Sequence, residues 1–259
     1  MASYSSAWIV GSVKGLAYYF TVDAAVQTVT GDRYLYHSTG SLSILDALRA
    51  GMVAAGYAGA SAVLTRDRRV KLSSGAGNFA ITWDSTGLRD LLGWTADLSG
   101  AASYTAPNPS ALLWSPAKPL RPELAPRGTL GIPRPLSYFT TSPSDGSTFV
   151  VSHGERIDQR FTCGMVAVDR VYTSSLVGGE WARLFRDSLA KGYSFYVYPE
   201  VVEDPGSSTT ATLSDGLGPY AFSPSGRAPS WSYVRSRGME WCDKRADVDF
   251  ACRVVPEYS

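Results

Sequence analysis

Nine of the fifteen prolines in this 259-residue chain fall between Thr105 and Ser147. Proline locks φ, donates no backbone hydrogen bond, and biases the residue before it away from helix. That stretch therefore reads as an extended connector, with the boundary near residues 118–135. It divides the chain into an N-terminal α+β domain (1–118), a Pro-rich connector (119–147) and a C-terminal β-rich α+β domain (148–259). Leu112, Leu113, Trp114, Tyr138 and Phe139 interrupt the polar text. A connector with such anchors is expected to lie pinned along a surface or against a neighbouring subunit, since free in water it would expose apolar area. Trp114, Tyr138 and Phe139 are the interface candidates.

Periodicity assigns the elements on either side. Gly15 to Val29 carries Tyr18, Phe20 and Val22 on one parity, as a strand does, and Gly31-Asp32 reads as the turn that follows. Ser43-Ile44-Leu45-Asp46 has the spacing of a capping box, Leu45, Leu48 and Met52 share a helical face, and Gly56 can close the helix. Ala62–Leu64 and Val70–Leu72 flank Arg66-Asp67-Arg68 as a hairpin, and Phe79–Trp83 alternates as a strand. Asp84 or Ser85 then caps a short helix with Leu88, Leu91 and Leu92 inward and Gly93 as its stop.

Beyond the connector, Arg160–Val171 alternates as a strand, and Glu180–Lys191 places Trp181, Leu184, Phe185 and Leu189 at helical spacing. Tyr193–Tyr198 reads as an aromatic strand stopped by Pro199, with further strands at Trp231–Val234 and Asp247–Val255. The fold class is thus α+β and sheet-rich: two halves of mostly antiparallel strands, each with one or two covering helices.

Composition excludes several functions. Lys+Arg 24 against Asp+Glu 23 leaves a net charge of +1, which gives no electrostatic basis for wholesale binding to nucleic acid or a membrane surface. No apolar stretch reaches a bilayer-spanning length, and the first residues lack the basic and apolar regions of a signal peptide. Two histidines, His37 and His153, are too few for a His-rich metal site, and both read as structural or solvent-facing. Cys163, Cys242 and Cys252 form no even disulfide framework and no zinc spacing, so they are expected to be free structural thiols in a reducing compartment.

The search for catalytic motifs yields no committed catalytic residue. There is no P-loop and no GxSxG elbow. Gly216-Leu217-Gly218-Pro219-Tyr220-Ala221 satisfies GxGxxA, but with Pro219 inside it and no apolar strand before it the string reads as a turn. Glu200, Glu203, Asp204 and Glu240 lie near aromatic residues, as a glycosidase pair could, yet they read as solvated acids. Arg66, Arg68, Arg69 and Lys71 form the densest basic run, diluted by Asp67 at a hairpin tip. No catalytic, cofactor or metal residue is therefore assigned, and a non-enzymatic chain is expected.

One passage is distinctive. From Asn78 to Pro116 a strand ends in Trp83-Asp84 and runs into a short helix that closes with Leu91-Leu92-Gly93-Trp94. Ser99-Gly100-Ala101, Tyr104-Thr105-Ala106 and Leu113-Trp114-Ser115-Pro116 follow. This text resembles a segment of structural proteins of tailed bacteriophages, over about 40 of the 259 residues. Gly179-Glu180-Trp181-Ala182-Arg183-Leu184-Phe185, leading to Tyr193–Pro199, is similar to phage tail-associated text more loosely. The resemblance implies a virion component, assembled in the host cytoplasm, that acts through contacts with copies of itself and other virion proteins. A tail-side position (baseplate, collar or tail attachment) is preferred. The alternatives are a capsid decoration protein and, in another class, a carbohydrate-binding or glycan-degrading module. Low charge and many Tyr and Trp suit large permanent interfaces.

Overall fold

A computed structural model describes residues 4–115, 121–122, 136–141, 149–155, 158–167, 180–203, 210–213, 216–222, 230–234 and 245–254. The chain begins with a 19-residue strand, β1 (Tyr4–Val22), then β2 (Ala25–Tyr34), helix α1 (Ile44–Ala54), β3 (Ser61–Leu64), β4 (Val70–Ser73) and β5 (Phe79–Thr82). Helix α2 (Thr86–Leu92), β6 (Leu98–Ala101), β7 (Ser103–Thr105) and β8 (Leu113–Trp114) complete the first half. Next come β9 (Arg121–Pro122), β10 (Leu136–Thr141), β11 (Phe149–Glu155), β12 (Asp158–Ala167) and helix α3 (Glu180–Asp187). The last strands are β13 (Ser194–Glu203), β14 (Ala211–Leu213), β15 (Leu217–Phe222), β16 (Ser230–Val234) and β17 (Arg245–Val254). The architecture is a sheet-rich α+β fold of antiparallel strands with few helices.

Strand β1 is the spine. Its first part, Tyr4–Gly11, pairs with β13, and its second, Ser12–Val22, pairs with β2. The N-terminal strand therefore hydrogen-bonds across the 118/119 boundary, and the two halves meet in one sheet ordered β6-β5-β1-β13-β15-β17-β12-β9. Along the β1–β2 ribbon Phe20, Val22 and Val29 are buried, while Ala17, Tyr19, Val26, Thr28 and Thr30 on the other face are exposed. Strict alternation of this kind marks a ribbon with one face on the core. The core gathers Trp8, Phe20, Leu35, Leu48, Phe79, Trp83, Leu88, Leu92, Trp94 and Tyr198.

Several elements form as the text predicts. Ser43 caps α1 by accepting from the Asp46 amide at 3.2 Å, and Leu45, Leu48 and Met52 are buried beneath it. Gly93 ends α2 in the left-handed region (φ 89°), and there a β-carbon would overlap the Asn108 carbonyl oxygen. Cys252 is buried and forms no disulfide. Cys242, Asp204, Glu240 and most of the connector lie outside the described residues.

Other expectations are corrected. The hairpin turns at Asp23-Ala24, not at Gly31-Asp32. Asp23 adopts φ 53°, and its carboxylate accepts from the Ala80 amide (2.9 Å) and the Tyr57 hydroxyl, so a side chain does what a turn glycine does elsewhere. Pro199 does not stop β13. Between the Ser6–Val201 and Trp8–Tyr198 pairs β13 has one residue more than β1, and Pro199 sits in that bulge, where no ladder donor is required.

The Gly216–Ala221 string is not a turn: from Leu217 it forms β15 (Leu217–Phe222), a strand between β13 and β17. The helix from Glu180 breaks at Ser188 into a 3-10 turn, Leu189–Lys191. His37 is buried, stacked on Tyr34 at 5.3 Å, with Nδ1 accepting from the Thr39 amide. His153 belongs to β11.

Candidate functional site

The pairing of β1 with β2 has one irregularity, and a cleft opens there. The β1–β2 register shifts between Val13 and Leu16, with Gly15 at φ 64° and its amide donating to Asp32 Oδ1 at 2.9 Å. Beside this bulge is a cavity of about 810 Å³. That is within the range of sites that take small molecules or short chain segments. Val13, Lys14, Gly15, Ala17 and Tyr18 of β1 form one wall. Gly87, Asp90, Leu91, Gly93 and Trp94 of α2 and its exit form a second, and Arg183, Arg186, Asp187, Lys191 and Tyr193 of the α3 region a third.

Each wall is set by identifiable chemistry. On the α2 side, the Asn108 amide donates to Gly93 O (3.2 Å), and the Ala111 amide and Ser110 Oγ both donate to Leu91 O (2.8 Å each). These bonds satisfy carbonyls that the end of a helix leaves open. Trp94 leaves the helix at once and stacks on Trp83, centroids 6.3 Å apart, with both indoles buried.

On the α3 side, Ser188 Oγ donates to Ser12 O at 2.7 Å and Ser12 Oγ donates to Ser194 O at 2.6 Å. The approach is possible because residue 11 is glycine. A β-carbon there would stand 2.7 Å from Leu184 Cδ1 and 2.8 Å from Ser188 Oγ.

The cleft is cationic. Lys14, Arg183, Arg186 and Lys191 face two carboxylates, Asp90 and Asp187. Both carboxylates are already engaged, Asp90 by Arg89 at 3.1 Å and Asp187 by the two-pronged Arg186 at 2.8 Å. That bond raises the Arg186 pKa and fixes its positive charge. Arg183 is only 9% exposed. Tyr18, Leu91, Trp94 and Tyr193 add aromatic and apolar surface. The arrangement can hold an anionic, partly apolar ligand. Among the described residues no group of His, Cys, Asp or Glu is placed to hold a metal ion, and no helix is long and apolar enough to cross a membrane.

The interface candidates fall elsewhere. Trp114 is fully buried in its own chain, where β8 pairs with Ile9 and Val10 of β1, so it anchors the fold and is not an exposed interface residue. Proline on both sides suggested a connector, yet Trp114 is too large and apolar to leave out of the core. Tyr138 and Phe139 lie in β10, opposite Ser152 and Val151 of β11. Glu200 and Glu203 lie on β13. Arg66, Asp67 and Arg68 are the β3–β4 hairpin tip, where Arg68 takes φ 62°.

None of the cleft was legible as a site in the text. Its residues come from four separate stretches, 13–18, 87–95, 108–111 and 183–193, which no local spacing in the sequence brings together. Comparison with protein-family models, with curated proteins and with solved structures finds no match.

Proposed function

We propose that the chain is a non-enzymatic structural subunit of a tailed-phage particle, on the tail side, that works through contacts with copies of itself and other virion proteins. The observation that carries the reading is the fate of the phage-like Asn78–Pro116 text. Its Trp83, Leu88, Leu92, Trp94, Leu113 and Trp114 are all buried, and β8 closes it onto β1. That text is scaffold, as expected where a passage is shared for its architecture and not for a reaction. The outer face of the β1–β2 ribbon supports the same reading. Ala17, Tyr19 (50% exposed), Val26 (66% exposed), Thr28 and Thr30 present an uncharged surface of the kind that subunit contacts cover.

Mass spectrometry of purified particles, with gold-labelled antibody to place the chain, tests the proposal. The expected result is a stoichiometric tail-side component. Polysaccharide cleavage by the purified chain, abolished by Glu200→Gln, would overturn it.

A further inference from the structure

The edge of β1 away from β2 is interrupted. β13 pairs along it as far as Gly11, and β5 joins it only at Thr21. Both lie on that same edge. The Gly11 amide donates to Leu112 O while Gly11 O accepts from the Leu35 amide, so β8 and β2 share the opposite one. From Val13 to Phe20 no described strand completes the ladder on the β13 side, and this gap borders the cationic cleft. Neither Lys14 nor Lys191, on opposite walls, is held in an ion pair among the described residues.

We infer that this cleft receives an extended acidic segment of a partner polypeptide, which adds as a strand to the open edge of β1 between β13 and β5. An unpaired strand edge is a template for main-chain hydrogen bonds, and side-chain pockets beside it give specificity. The edge distinguishes a polypeptide from an anionic sugar, which cannot complete a β-ladder. Charge chooses the sequence: Lys14 and Lys191, on opposite walls of a lining whose two carboxylates are already engaged, favour Glu and Asp on the incoming strand. The half-buried Tyr18 and Tyr193 give its alternate residues apolar contact. The inference deepens the proposed assembly role, on which it rests for the segment's source in another virion protein.

The probe is a fluorescein-labelled hexapeptide alternating Glu with Val and Thr, titrated into the full chain and followed by polarisation. Saturable binding is expected, weakened at least tenfold by the double substitution Lys14→Glu and Lys191→Glu at two exposed sites, with the far-UV spectrum unchanged. N-methylation of alternate peptide amides should weaken binding as much, and amide exchange at residues 13–20 should slow when the unmodified peptide is bound. An N-methylated peptide that binds equally well, no peptide binding at all, or oligogalacturonate bound in the peptide's place would overturn the inference. Each of these is read on the isolated chain, so failure here leaves the particle-localisation test of the assembly role standing, and the reverse.

Discussion

Helix α2 ends on a glycine whose backbone admits no side chain, whereas α3 ends on a serine whose hydroxyl reaches a strand of the other half. Both helices are short and flank one cleft, and neither would be stable alone in water. α2 is held by shape: Leu88 and Leu92 are fully buried, the chain leaves through a left-handed turn, and Trp94 stacks on Trp83. α3 is held by Leu184 and by a serine relay through Ser188, Ser12 and Ser194. Steric fixing tolerates almost no change, while polar fixing fails by single hydrogen bonds. The two walls of the cleft should accordingly differ in how they break.

The largest effect is expected at the steric wall. Gly93→Val combines a positive φ with overlap of the Asn108 carbonyl, and should cost more than about 4 kcal/mol, seen as loss of soluble folded protein. A variant that denatures like wild type would end the claim that α2 is fixed by shape. Leu88→Ala and Leu184→Ala each empty a fully buried site and should cost about 2–5 kcal/mol in chemical denaturation. Here the two helices should behave alike, because packing holds both.

The relay should break more gently. Ser188→Ala leaves the Ser12 carbonyl without that donor and should cost about 1–3 kcal/mol. Gly11→Ala should cost a similar amount by pushing on Leu184 and Ser188, and combined with Leu184→Ala its penalty should shrink, because the obstructing methyl is gone. Strict additivity in that double-mutant cycle would show that the close approach at Gly11 does not position α3.

This contrast also explains what the sequence disclosed. The α2 exit was legible because its signals are local: leucines at helical spacing, then Gly93 and Trp94. Ser43 capping α1 and the β3–β4 hairpin were legible for the same reason. The pairing of β1 with β13 spans nearly the whole chain and leaves no local mark, so Pro199 reads as a stop and Gly218-Pro219 as a turn, when both lie at bulges inside strands. Asp23 was missed because its turn conformation is sustained by partners 34 and 57 residues away.

A smaller effect should appear in alkali. Burial, with Tyr36 and Tyr34 nearby, raises the Tyr198 pKa well above the usual tyrosine value, and burial with Cys252 nearby also raises that of Tyr220. Their folded-state pKa values exceed the unfolded ones. The stabilisation is therefore complete below about pH 10 and is lost as pH rises toward the folded values, because only the unfolded chain releases its protons there. Each group should contribute a slope of at most about 1.4 kcal/mol per pH unit in that window. Tyr198→Phe should flatten the alkaline limb while changing neutral stability little, since the hydroxyl makes only a 3.5 Å contact with Tyr36 O. An unchanged limb would mean that Tyr198 is not shielded within the shared sheet, and the β1–β13 seam would be looser than drawn.

The smallest effect separates core from cleft most sharply. The spacing of Leu88, Leu91 and Leu92 predicts all three on one inward face. The structure buries Leu88 and Leu92 but leaves Leu91 partly exposed in the cleft wall. Truncating a partly buried leucine that opens on the cleft forfeits part of its transfer free energy and leaves no closed cavity, so the cost should be about 1 kcal/mol. Binding of the acidic peptide should fall more than that stability change accounts for, since the lost isobutyl group belongs to the ligand's apolar surroundings. A denaturation cost equal to that of Leu88→Ala would return Leu91 to the core. It would also mean that α2 turns its leucine face into the protein and that the cleft has no apolar wall on that side.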